Sequence, residues 1–154
     1  MNTKTNTIKK LRLFLLKQIS SLTAEQLNTI PAGFNNNIIW NIAHLLSAAQ
    51  AICYKRAGLP ITVDDQYVTP FLTGTKPNGF ISHEEIETIK MHFISSIDTL
   101  QTDVEKEIFG NYTKSENIER VYGIELLTID LALEFLLYHE GAHIGYILAM
   151  KHLV

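Results

Sequence analysis

The chain has a single cysteine, Cys53, among its 154 residues. One thiol excludes an internal disulfide framework and fits a reducing compartment. A membrane-spanning helix needs about 18 or more consecutive apolar residues. The nearest approach, residues 128–150, is interrupted by Asp130, Glu134, His139, Glu140 and His143. The N-terminus has no long apolar region leading to a small-residue cleavage site, so a secretory signal is not expected. Positive charge is scarce as well. Lys and Arg total 13 against 16 Asp and Glu, a net charge of -3, and the only basic cluster is Lys9, Lys10 and Arg12. No electrostatic footprint for nucleic acid is present, and no membrane partner is expected. There is no internal repeat and no low-complexity tract. A soluble, cytoplasmic protein is the expectation.

What is present is an ordinary globular mixture, 46% hydrophobic and 19% charged, long enough for one domain over 1–154 with a real core. Apolar residues at three- and four-residue steps, Ile8, Leu11, Leu15, Ile19 and Leu22, predict a first helix over 5–21. Thr23 with Gln26 has the form of a capping box and starts a short turn before Pro31. Asn35, Asn36 and Asn37 offer N-caps for a second helix running to about Ala57, closed by Gly58 and Pro60. Ser82 with Glu85 caps a third helix to about Lys106. Thr128 caps a fourth, with Asp130 in its first turn. Residues 59–81, carrying Pro60, Pro70, Gly74, Pro77 and Gly79, read as a long loop. Its Tyr67, Phe71, Leu72 and Phe80 suggest a lid packed over a pocket. Residues 111–127 alternate weakly and suggest a small hairpin or an extended crossover. The fold class is all-α, a four-helix bundle with a long loop between helices 2 and 3.

The chemistry concentrates near the C-terminus, in TIDLALEFLLYHEGAHIGYILAM. His139 and His143 lie one turn apart on a helical face shared with Ala132, Phe135, Leu136, Tyr146, Ile147 and Met150. That face is the one expected to be buried. An unsatisfied buried polar group costs about 1–3 kcal/mol. A shared metal ion would satisfy both rings, and hydrogen-bonded core histidines are the plainer alternative. His44, with Trp40, Ala48 and Ala51 on its side of the second helix, offers a third nitrogen and room beside it. Three such ligands leave open positions for water or substrate. His83, His92 and His152 read as exposed or rim residues. HEGAH also matches the H-E-x-x-H zinc-protease motif. Only 11 residues follow His143, and the extended motif's downstream glycine and histidine are replaced by Tyr146 and Ala149. Glu140 remains a candidate base or supporting residue, with a partly exposed helix glutamate as the plainer reading.

Asn37, Trp40 and His44 in NNIIWNIAHLL, with His139, Gly141, His143 and Ile144 in HEGAHIGYI, resemble the DinB/YfiT-like superfamily of small four-helix proteins. The SLTAEQL segment fits as well, and the resemblance covers essentially the whole chain. It implies an up-down-down-up bundle and a divalent metal, zinc or nickel, held by His44, His139 and His143. It also implies a small-molecule substrate, with a low-molecular-weight thiol as cosubstrate of a thiol S-transferase or hydrolase, and a homodimer. Many members have no established activity, so a non-catalytic binding or scaffold protein of the same fold is the alternative.

Overall fold

The computed structural model describes residues 2–154. Its elements are helical, with no strand among the described residues. The chain forms α1 (Thr3–Gln18), α2 (Ala24–Asn28), α3 (Ile38–Ala49), α4 (His83–Glu105), α5 (Glu116–Tyr122) and α6 (Ile129–Met150). Local chemistry starts most of them. The Thr23–Gln26 and Ser82–Glu85 capping boxes both form, and Asn37 and Thr128 accept from Trp40 N and Leu131 N. Each cap satisfies a backbone donor that the first turn leaves without a partner. Beyond Ala49 the helical run continues as a π-helical turn, Gln50–Tyr54, and a 3-10 turn, Lys55–Ala57. Gly58 ends it with φ 69°, a left-handed conformation in which an L side chain is strained.

The expected hairpin or crossover at 111–127 is instead helical over Glu116–Tyr122. Ser115 accepts from Ile118 N, Glu116 stands in the first turn, and Gly123 closes the helix at φ 68°. These termini outweigh the weak alternation of Tyr112, Val121, Tyr122 and Ile124. The 59–81 segment is a loop with two 3-10 turns, Asp65–Tyr67 and Thr69–Phe71. It is fastened rather than free. Val68 is fully buried, Ser47 Oγ donates to Val68 O at 2.8 Å, and Gln50 Oε1 accepts from Thr62 N at 2.8 Å.

α1 packs against α4 and α6, and α3 packs against the same two helices. The main apolar core gathers Leu15, Ile39, Ile42, Leu46, Phe93 and Ile147 from all four. At its centre is a charged side chain. Arg12 is fully buried, its guanidinium 4.3 Å from the Phe93 ring centroid. It donates to Phe93 O (2.7 Å), Leu45 O (3.0 Å) and Glu140 Oε1 (2.5 and 2.9 Å). One side chain thus ties α1 to α3, α4 and α6. Glu140, expected to be partly exposed, is fully buried. Burial raises its carboxyl pKa, and the charge and hydrogen bonds of Arg12 oppose that rise.

Removing one member of a buried ion pair strands the other charge. Arg12→Ala is therefore expected to cost about 3–5 kcal/mol in urea denaturation. Arg12→Met combined with Glu140→Leu is expected to recover most of that loss, which the same unfolding curves will show.

Candidate metal centre

α6 has to bury two kinds of residue, and its rotation decides which kind reaches the cleft. Ala132, Leu133, Phe135, Leu136, Glu140, Ile144, Ile147 and Met150 form its buried arc. At about 100° per residue, His139 and His143 lie roughly 100° and 60° from Glu140 around the helix. The histidines therefore stand within the buried face, as the sequence reading expects, on the side shared with Ala132, Phe135 and Met150. Both are only partly buried. From α3, His44 reaches the same place. It is 5% exposed and stacks flat on Trp40, with centroids 4.9 Å apart and an interplanar angle of 6°.

The three imidazoles converge. Ring centroids are 5.2 Å apart for His44–His139, 4.8 Å for His44–His143 and 4.5 Å for His139–His143. One ligand atom from each lies within 4.8 Å of the others, so the group could hold a metal ion. The remaining histidines are elsewhere. His83 and His152 are exposed, and His92 sits against the Tyr67 ring.

Hydrogen bonding fixes which nitrogens are bare. His44 Nδ1 lies 2.7 Å from Phe71 O. A carbonyl only accepts, so Nδ1 carries the proton and Nε2 keeps its lone pair. His143 Nδ1 lies 2.8 Å from Asn41 Oδ1. The Asn41 amide nitrogen already donates to Asn36 Oδ1 and Asn37 O, both at 2.8 Å, so its oxygen faces the ring and His143 Nε2 is also bare. Such outer partners set the tautomer of metal-binding histidines. His44 Nε2 and His139 Nε2 are 3.3 Å apart. Two nitrogens each about 2.0–2.1 Å from one zinc at a tetrahedral angle would be separated by roughly this distance. His139 Nδ1 is buried without a hydrogen-bond partner, so no protein group competes for its orientation.

Electrostatics favour the neutral rings that a metal requires. Burial, with repulsion from His143 and His44, pushes His139 down to about 3. Burial, then His44, pushes His143 down to about 4. Burial also lowers His44, against the raising effect of its bond to Phe71 O. The donor set, its neutrality and its locked tautomers all suit a divalent transition metal.

A cleft of about 380 Å³ opens beside His44 and His139. Its floor is one face of α3 and the turns that follow, with Ala48, Ala51, Ile52 and Lys55 in succession. The far wall comes from α5, through Ser115, Ile118 and Val121, and the rim from Leu72 and Thr73 of the 59–81 loop. The sequence reading missed the α5 wall, although Ser115 and Gly123 bracket a helix. It also missed Lys55 and Arg56, which no motif marks. Glu140 does not line the cleft. It pairs with Arg12 on the core side of α6.

Trp40 is the chain's only tryptophan, so its stacking on His44 makes it a reporter. Nickel is expected to quench its fluorescence at one equivalent, and His143→Ala should abolish the quenching. Asn41→Leu, which loses the acceptor for His143, is expected to weaken nickel affinity about 10–100-fold, whereas Asn41→Asp retains most of it. A competition titration against a chromophoric chelator measures both.

No curated protein matches this chain. The DinB superfamily profile matches residues 10–147, a span that includes all three histidines and both members of the Arg12–Glu140 pair. An all-helical chain matched over nearly its whole length belongs to the DinB superfamily.

Proposed function

We propose that this protein is a divalent-metal-dependent thiol S-transferase with His44, His139 and His143 as ligands of zinc or nickel. The observation that carries the reading is the convergence of three neutral imidazoles, two with their Nε2 lone pairs fixed by Phe71 O and Asn41 Oδ1. Either ion suits such nitrogen donors, and availability would decide between them. The ion-pair and hydrogen-bond partners also support an up-down-down-up four-helix bundle. Lys4 meets Asp130, Lys9 meets Asp98, Tyr54 meets Asp103, and Asn41 meets His143.

When bound, the metal would supply Lewis acidity, lowering the pKa of a coordinated thiol or water. The chain's own residues hold the rest of the reaction in place. His44 and His139 open onto the cleft, so a substrate there lies against the lone-pair face of the rings. Ile52, Ile118, Val121 and Phe135 give it an apolar surface that excludes water. The thiol must come from outside, because Cys53 is fully buried and burial pushes its pKa up to about 12. In the transfer the thiol gives its proton to solvent, its sulfur bonds to an electrophilic carbon, and the leaving group departs with its bonding pair.

One observation favours a second reading, binding without chemistry. No carboxylate lines the cleft, so no Asp or Glu of this chain is placed there as a general base. The two readings separate in one assay. Zinc- or nickel-loaded protein is expected to accelerate conjugation of a small thiol to a bimane electrophile, and His143→Ala should remove the acceleration while its helical circular dichroism persists. Stoichiometric metal uptake without acceleration would favour the binding protein. Uptake far below one equivalent, with no shift in Tm on metal addition, would end the metal reading.

A further inference from the structure

The cleft has two unlike ends. One is the histidine cluster. The other carries Lys55 and Arg56, the cationic residues among its lining, with no Asp or Glu there to neutralise them. The cleft's apolar lining is Ile52, Ile118, Val121 and Phe135, the last stacked on the His139 ring. The floor is a single helical face, with His44, Ala48, Ala51, Ile52 and Lys55 at helical spacing. At about 1.5 Å per residue, Lys55 stands roughly 16 Å along the run from His44. Its side chain is long enough to reach several ångströms back toward the cluster.

The two cations are available in different ways. Lys55 is exposed and has no ion-pair partner among the described residues. Arg56 is half-buried and held in position. Its Nε donates to Thr113 O at 3.1 Å and its Nη2 to Thr113 Oγ1 at 2.9 Å. Thr113 returns two bonds to Arg56 O, from N and from Oγ1, both at 2.7 Å. One edge of the guanidinium is thus occupied by neutral acceptors, which fix the group without cancelling its charge. A planar cation fixed this way and left without a counter-charge suits a carboxylate.

We propose that Lys55 and Arg56 are specificity residues that select an elongated substrate with a carboxylate at one end, an apolar middle and its reacting group at the other. This rests on the metal-centre reading, because the reacting group is placed at His44 and His139. The spacing of the two ends sets a length requirement. Short molecules reach one end only, and neutral ones forgo the contact with the cations.

The test is calorimetric binding of two thiol series to zinc-loaded protein, ω-mercaptoalkanoates and the ω-mercaptoalkanols of matching chain length. The acids are expected to bind about tenfold more tightly than the alcohols at the best chain length, with the advantage shrinking as salt is raised. Lys55→Glu should abolish the advantage, and Arg56→Gln should reduce it, while both leave the alcohols and zinc affinity unchanged. Lys55 is exposed, so its variant keeps the test decisive if Arg56→Gln misfolds. Equal binding of acids and alcohols, or an acid advantage that survives Lys55→Glu, overturns the proposal and leaves the metal centre intact. No zinc uptake in the parallel metal titration overturns the metal centre itself, and this proposal with it.

Discussion

The rotational setting of α6 depends on one buried ion pair. Arg12 cannot leave its charge uncompensated in a core of Ile, Leu and Phe, and Glu140 supplies the compensation. The desolvation of two charges is offset only because the guanidinium also donates to Phe93 O and Leu45 O. With position 140 facing the core, positions 139 and 143 share the buried face with Ala132, Phe135 and Met150. The pair therefore does more than join four helices. It fixes the setting of α6 in which the two histidines meet His44, with His139 lining the cleft beside it.

The rest of the centre is assembled from elements distant in sequence. The 59–81 loop contributes a backbone carbonyl, Phe71 O, that holds His44. Asn41, a turn before His44 on α3, holds His143 across the helix interface and is itself oriented by Asn36 and Asn37. α5 closes the cleft's far side, fastened by the Arg56–Thr113 bonds and by Tyr112 OH donating to Ile52 O at 2.7 Å. The π-helical turn at Gln50–Tyr54 lies in the cleft floor, as such turns often do at functional sites. Rigid partners on each side mean that the donor atoms are arranged before any ligand arrives, which lowers the ordering cost of binding.

Much of this was legible in the sequence, for local reasons. Helix starts were readable because Thr23, Asn37, Ser82 and Thr128 satisfy donors only two or three residues away. The pairing of His139 with His143 was readable because helical spacing alone puts them together. The 111–127 stretch alternates like an extended segment, and its helix is marked only by its ends, Ser115 and Gly123. Lys55 and Arg56 carried no local signal, since a cation at a helix end is common and acquires meaning only from what lies opposite.

By itself, then, the sequence determined the all-helical character, the helix boundaries to within a few residues and the candidate trio of histidines. Only the tertiary structure decided that Glu140 belongs to the core and that the cleft is cationic at its far end. The physical reason is range. Caps and helical periods act over a few residues, whereas Arg12 and Glu140 are 128 residues apart and His44 and His139 are 95 apart. Contacts of that kind exist only after packing has brought the helices together.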